Sequence, residues 1–159
     1  MALHIGVIGE GRCSRRIAVQ AERVGAAIAA AGAVLVCGGL GGVMAAASRG
    51  AARSGGVVVG LLPGVDPADA NRWVTIPIAT GMDQARNVIV VRSSDAVIAI
   101  GGMYGTLSEI ALALKARKPL VLLGSWQFEM EGVSPTVPRA RDAAHAVELA
   151  FAALGTAEG

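Results

Sequence analysis

The chain has 159 residues, 53% of them hydrophobic and only 3% aromatic, which is typical of one globular domain with a core of Ala, Val, Leu and Ile. The formal net charge is +2 and the basic residues are scattered, which disfavours bulk electrostatic binding to nucleic acid. No segment has the length of a membrane span or the pattern of a secretory signal, so we expect a cytoplasmic protein without a membrane partner. Cys13 and Cys37 are too few for a disulfide framework, and we expect two free thiols and no metal site.

Apolar, β-branched runs alternate with Ala-rich helical runs along the chain. The predicted strands are His4–Gly9, Ala33–Cys37, Val57–Leu62, Val74–Ile78, Ala96–Ile100 and Pro119–Leu123. The predicted helices are Ser14–Ala31, a segment from the turn at Gly42 to about Ser54, Asp83–Arg92, Leu107–Arg117 and Arg139–Leu154. Pro77 makes the fourth strand an edge strand or a short one. This alternation predicts a doubly wound, Rossmann-like parallel sheet in a three-layer α/β/α arrangement, with residues 1–159 forming a single nucleotide-binding domain.

Glycine-rich turns follow three of the predicted strands. The turn after Ile100 leads at once into a helix start, and such a turn can hold an anion on backbone N–H groups at the positive end of the helix dipole. Ligands of doubly wound sheets bind outside the carboxyl ends of the strands, so we expect the turns to meet there around a phosphorylated ligand. The predicted contacts are Gly9, Gly11, Gly38, Gly39, Gly41, Gly101, Gly102, Met103, Tyr104, Gly105 and Thr106.

Three common cofactor classes are disfavoured. A nicotinamide site wants a carboxylate at the end of the second strand, where this chain has Cys37 followed by glycines. A Walker P-loop needs a G-K-[ST] sequence, which is absent. Pyridoxal phosphate needs a Schiff-base lysine, but Lys115 and Lys118 bracket a predicted helix end and do not follow a strand.

Three sequence blocks together resemble the Lonely Guy superfamily, once widely labelled "lysine decarboxylase-like". They are G-G-L-G-G-V-M at 38–44, R-N at 86–87 and G-G-M-Y-G-T-L-S-E at 101–109. The resemblance extends over most of the chain and implies a Rossmann-like fold. Its phosphoribohydrolase branch cleaves the N-glycosidic bond of nucleoside monophosphates. Carried over to this chain, the resemblance implies catalytic roles for Arg86 and Glu109, with Gly102, Gly105 and Thr106 around the phosphate.

The chain departs from the enzymes of that superfamily near the implied catalytic residues. Ile100 stands where their glycine motif begins with proline, and Asn87 stands where their arginine is followed by lysine. Gln84 and Ala85 replace their Met-His pair. Within the superfamily the chain looks most like the small bacterial branch that includes the molybdenum cofactor carrier proteins. These departures favour ligand binding over hydrolysis.

Glu109 and Arg86 each have a simpler structural interpretation. The pattern Thr106 to Glu109 is that of a capping box, in which the glutamate returns to the Thr106 N–H and stabilises the helix start. Arg86 could be solvated or pair with Asp83 on its own helix. The functional alternative for Arg86 is a buried guanidinium whose planar fork binds a phosphate or carboxylate.

Three functions remain open from the sequence. The chain is a carrier of a phosphorylated nucleotide or pterin, a nucleoside 5'-monophosphate phosphoribohydrolase, or a nucleotide-sensing regulatory protein. No cofactor is required by these hypotheses, although a nucleotide monophosphate or the molybdenum cofactor is an expected ligand. We also expect a homodimer or tetramer, because residues 88–91 are four consecutive apolar residues on one predicted helix.

Overall fold

A computed structural model of the protein describes residues 1–129, 131–132 and 135–155, and this part of the chain forms six strands, five α-helices and two short 3₁₀ turns. The strands are β1 His4–Gly9, β2 Val34–Cys37, β3 Val58–Leu62, β4 Ile76–Ala79, β5 Ala96–Ile100 and β6 Leu120–Leu123. The helices are α1 Arg15–Ala30, α2 Val43–Arg53, α3 Arg86–Arg92, α4 Tyr104–Lys115 and α5 Ala143–Gly155, and the 3₁₀ turns are Pro67–Asp69 and Asp83–Ala85.

The strands form one parallel sheet in the order β4-β3-β2-β1-β5-β6. The chain adds β2, β3 and β4 on one side of β1, then crosses over and adds β5 and β6 on the other side. The strand order therefore reverses between β1 and β5, where Ile8 pairs with Ala99 and Gly9 with Ile100. The predicted doubly wound Rossmann-like fold is confirmed. Its switch point lies at the carboxyl ends of β1 and β5.

The core consists of two apolar layers, one on each face of the sheet. One face packs against α1, α2 and α5 through residues such as Ile28, Val43 and Val147. The other face packs against α3 and α4 through Val90 and Ile110. The strands β5 and β6 are buried along their whole length, because a parallel sheet covered on both sides has no solvent face.

Two glycines allow α1 and α2 to pack closely. A Cβ atom at Gly25 would overlap the backbone carbonyl of Ala47, and one at Gly50 would overlap the carbonyl of Glu22. Any side chain at these positions would push the helices apart. The glycine turn at 9–11 precedes α1, and the glycine turn at 38–42 precedes α2. The contact between the two helices therefore fixes the positions of these two turns relative to each other.

The last helix begins at Ala143, four residues after the predicted start at Arg139. Arg139 instead extends the sheet region, since it bridges Leu122 and its guanidinium donates to the carbonyls of Ser125 and Trp126. The helix start is set by Asp142, whose Oδ1 accepts the His145 N–H at 2.9 Å. Pro77 lies in an edge strand of only four residues, as predicted.

Candidate functional site

A cleft of about 330 Å³ opens at the carboxyl edge of the sheet, above the switch point between β1 and β5. We call it the switch-point cleft. It brings together the first turn, the end of β2, the start of α3 and the start of α4, which are distant in the sequence. Its lining includes Gly9, Glu10, Gly11, Arg12, Gly38, Met44, Arg86, Asn87, Met103, Gly105, Thr106 and Glu109.

The start of α4 has no side-chain cap. Met103 is the N-cap residue and makes no capping hydrogen bond, whereas Ser14 Oγ caps α1 by accepting the Ile17 N–H at 3.3 Å. The turn before α4 depends on Gly101 and Gly102, whose φ angles of 56° and 112° suit glycine. The first-turn N–H groups of a helix have no intrahelical acceptor, so this end of α4 can bind an anion.

The predicted capping box is wrong. The helix begins at Tyr104, so Thr106 is already its third residue and Glu109 lies a further turn inside. Thr106 packs instead where a side chain at Gly102 would have to go. Glu109 is buried and faces the cleft, which frees its carboxyl from any role at the helix start.

Arg86 is buried although it is the first residue of α3, with only 8% of its surface exposed. Its guanidinium lies against Gly38, where a Cβ atom would overlap Nη1. Among the described residues, none accepts a hydrogen bond from Arg86 Nε and none forms an ion pair with its guanidinium. The solvated and Asp83-paired alternatives are therefore both wrong. A buried, unpartnered guanidinium is costly unless a ligand supplies the acceptor.

Glu109 is 7% exposed and shares the cleft with Arg86. Burial raises the pKa of Glu109 from 4.5 to about 7, and the positive charge of Arg86 opposes that rise. Burial also lowers the pKa of Arg86, while Glu109 and Cys37 raise it. Near neutral pH the Glu109 carboxyl is therefore present in both forms, and it can accept or donate a hydrogen bond.

Five of the predicted ligand contacts lie beside the switch-point cleft and not in its lining. Gly39, at φ 75°, packs against Gly60 and donates its N–H to Cys37 Sγ at 3.4 Å. Tyr104 is exposed, lies 6.1 Å from the Trp126 ring centroid and lines a neighbouring cavity of about 500 Å³. The remaining three, which shape the turns, are Gly41, Gly101 and Gly102.

Six lining residues were not among the predicted contacts, namely Val7, Ile8, Glu10, Arg12, Met44 and Asn87. Each lies within three positions of a predicted residue, so proximity in the sequence is the signal that could have found them. Asn87 and Arg86 also line the neighbouring cavity with Gly105, so the two cavities share a wall.

Candidate metal sites and membrane-spanning helices are both absent from the described part of the chain. No group of three or more His, Cys, Asp and Glu side chains is close enough there to hold a metal ion. No helix there has the length and apolar character needed to cross a bilayer.

The fold and the position of the cleft define a Rossmann-like α/β protein with a site at the switch point of its sheet. The family model of the SLOG cluster4 family matches residues 2–149, and the chain belongs to that family. This agrees with the resemblance to the Lonely Guy superfamily noted from the sequence.

Similar structures cover nearly the whole chain. The molybdenum cofactor binding protein of the phototrophic bacterium Rippkaea orientalis is 37% identical, with a TM-score of 0.90 over 97% of this chain and 98% of that one. The molybdenum cofactor carrier protein of Chlamydomonas reinhardtii is 39% identical, with a TM-score of 0.88 over 98% and 99%. An uncharacterized protein of Archaeoglobus fulgidus is 50% identical over 134 residues, which are 80% of this chain and 88% of the relative.

Proposed function

We propose that this protein binds the molybdenum cofactor, a phosphorylated pterin, in the switch-point cleft and acts as its carrier. The observation that carries the proposal is the buried guanidinium of Arg86, which lacks an acceptor and lines the same cleft as the uncapped start of α4. The similarity to cofactor-binding and carrier proteins along nearly the full chain supports the same conclusion.

The phosphate end of the ligand has a matching set of donors. The N–H groups in the first turn of α4, at Gly105 and Thr106, suit phosphate oxygens, and the helix dipole favours their negative charge. The Arg86 guanidinium can bind two oxygens at once through its planar fork. Gly38 leaves the space that the Arg86 guanidinium occupies at the wall of the cleft, because a Cβ atom there would overlap Nη1. Gly9 is also in the lining, where a Cβ atom would overlap Val43 and the Ile100 carbonyl.

The ring end of the ligand has both polar and apolar partners. Asn87 and Glu109 offer donors and acceptors that match the amino and amide groups of a pterin ring. Met44 and Met103 add apolar surface that adapts to a flat ring. The cleft volume lies in the range of small-ligand sites. As a cargo, the cofactor undergoes no reaction on this protein, so these residues have only to bind and release it.

Removal of the Arg86 guanidinium tests the proposal, with Arg92→Ala as the control because Arg92 is an exposed arginine on the same helix. We expect Arg86→Ala to weaken cofactor binding about tenfold to a hundredfold, because a hydrogen bond to a charged group contributes about 1.5–3 kcal/mol. Bound cofactor is separated by gel filtration and measured by the fluorescence of its oxidised pterin. Equal affinity in both variants, or no binding by the parent, would contradict the proposal.

A phosphoribohydrolase is the second candidate, because Glu109 has a pKa of about 7 and lies beside Arg86 in a cleft. Such a carboxyl can act as a general acid or base near neutral pH. Ile100 and Asn87 differ from the residues of the enzymes at the same motif, which is why we prefer the carrier. Incubation with purine and pyrimidine nucleoside monophosphates decides between them. Release of free base that disappears in Glu109→Gln and persists in Glu148→Gln, a change of an exposed carboxylate, would favour the enzyme.

We also propose that the protein is a homodimer or tetramer. Val88 on α3 is 40% exposed, and it lines a groove with Val91 of the same helix and Leu112 of the neighbouring helix α4. Ile76 and Ile78 on the edge strand β4 are exposed as well. Exposed apolar side chains on a helix face and on an edge strand are surfaces that a second subunit can cover. A mass of one chain in multi-angle light scattering at micromolar concentration would contradict this proposal.

A further inference from the structure

A further cavity, of about 430 Å³, lies between α1, the start of α2 and the loop that carries Trp73. It adjoins the switch-point cleft, since Gly11 and Arg12 line both. Its other walls come from Cys13 and Ala18, from Gly42, Ala45 and Ala46 at the start of α2, and from Arg49 and Trp73. We call it the arginine pocket.

Positive charge is concentrated around this pocket. Arg12 and Arg49 line it, and Arg53 and Arg72 lie on the Trp73 ring with their guanidinium carbons 5.3 and 5.1 Å from its centroid. Glu22 is the carboxylate that pairs with Arg49, at 2.6 Å, and with Arg53, at 3.5 Å. Among the described residues, Arg12 and Arg72 form no ion pair, and Arg49 and Arg53 share one carboxylate. The resulting excess of positive charge beside the pocket favours an anion.

The Arg49 guanidinium has a hydrogen-bond acceptor at Nη2 and lacks one at Nε. Its Nη2 donates to Glu22 Oε2, whereas its Nε is buried and no described residue accepts its hydrogen. A buried donor without an acceptor is uncommon in folded proteins, and each such atom calls for a partner. An anion in the pocket would supply the missing acceptor.

The Trp73 wall of the pocket is held in place by hydrogen bonds of Asn71 to the second glycine turn and to Trp73. Asn71 Nδ2 donates to the carbonyls of Gly39, at 3.2 Å, and Leu40, at 3.0 Å. Asn71 Oδ1 accepts the Trp73 N–H at 3.1 Å. These bonds fix the loop, and the half-buried Trp73 ring then orients Arg53 and Arg72 through cation–π contacts. The cations are therefore positioned by the fold.

We propose that the arginine pocket is a second anion-binding site that takes a phosphate group. The phosphate group belongs either to a separate small anion or to the ligand of the switch-point cleft, as its second phosphate. The second source is possible because Gly11 and Arg12 line both the cleft and the arginine pocket, so the two spaces adjoin. The first source is independent of the proposed function, and the second rests on the same cleft.

The test uses Arg49→Lys, which keeps the positive charge and a donor for Glu22 but removes the Nε hydrogen. Arg23→Ala is the control, since Arg23 is exposed on the same helix as Glu22. Calorimetry with inorganic pyrophosphate, adenosine monophosphate and adenosine diphosphate is run on the parent, both variants and Gly105→Asp, which blocks the switch-point cleft. For a separate anion, pyrophosphate binding survives Gly105→Asp and falls about tenfold in Arg49→Lys.

For a second phosphate of one ligand, the diphosphate binds about tenfold more tightly than the monophosphate, and Arg49→Lys removes only that advantage. The proposal is overturned if Arg49→Lys matches Arg23→Ala for all three probes, or if the parent shows neither pyrophosphate binding nor a preference for the diphosphate. A failure of the switch-point cleft is seen separately, as an unchanged affinity for the molybdenum cofactor in Gly105→Asp.

Discussion

Replacing Glu109 with glutamine should reverse a pH-dependent loss of stability that the switch-point cleft imposes on the fold. Burial raises the pKa of this carboxyl from 4.5 to about 7. Below pH 4.5 the side chain is protonated in both the folded and the unfolded chain, so its ionisation does not change the free energy of unfolding. Between pH 4.5 and 7 the unfolded chain releases the proton and the folded chain keeps it. The free energy of unfolding therefore falls as the pH rises, and it levels off above pH 7.

The size of the effect follows from the two pKa values and is about 3 kcal/mol. A glutamine has the shape of the protonated carboxyl and does not ionise. We therefore expect Glu109→Gln to match the parent near pH 4.5 and to exceed its free energy of unfolding by about 3 kcal/mol at pH 8. Such a gain in the free energy of unfolding is typical of a binding residue that lowers the stability of the fold.

Urea unfolding at fixed protein concentration, followed by circular dichroism from pH 4.5 to 8, measures this difference. Glu148→Gln is the control, because Glu148 is exposed on α5 and its replacement should leave the pH profile of the parent unchanged. A difference between Glu109→Gln and the parent that does not vary with pH would refute the reasoning. So would a parent that is the more stable of the two at pH 8.

Two further substitutions test the packing that builds the site. Gly38→Ala should displace the Arg86 guanidinium, because the new Cβ overlaps Nη1, and calorimetry should find ligand binding about tenfold weaker; unchanged affinity would contradict the position of Arg86. Gly25→Ala should lower the free energy of unfolding by about 2 kcal/mol, because the new Cβ overlaps the rigid Ala47 carbonyl. At an exposed helix position, replacing glycine with alanine instead stabilises the helix by about 1 kcal/mol. A Gly25→Ala variant that is more stable than the parent in urea unfolding would therefore contradict the close contact between α1 and α2.

The sequence predicted the sheet and the edge of the sheet that carries the cleft because those features are encoded locally. Continuous apolar runs such as Ala96–Ile100 mark strands covered on both faces, and the glycines after them mark turns. Strand order was not needed to place the turns on one edge, since all carboxyl ends of a parallel sheet point the same way. The chemistry of Arg86 and Glu109 was suggested by the resemblance to a family and not by local pattern.

The wrong and missed predictions depend on backbone geometry and on contacts between distant segments, which local sequence patterns do not contain. The capping box at Thr106 was a valid local motif, but two glycines with positive φ complete the turn early enough for the helix to begin at Tyr104. The burial of Arg86 depends on its neighbour Gly38, 48 positions earlier in the chain, a pairing that no periodicity contains. The arginine pocket likewise joins Arg12, Arg49 and Trp73, which only the folded chain brings together.

We propose that the switch-point cleft holds the phosphate of a pterin-type cofactor at the start of α4. Gly105→Asp tests it well, because a Cβ at Gly105 meets no atom within 4 Å and the residue lines the cleft. The new carboxylate therefore enters the ligand space without disturbing the fold, while Gly105→Ala controls for the added Cβ. Native mass spectrometry of protein purified from a host that makes the cofactor should find a phosphorylated pterin on the parent and on Gly105→Ala, and none on Gly105→Asp. A nucleoside monophosphate in its place, or equal pterin on all three proteins, would contradict the account.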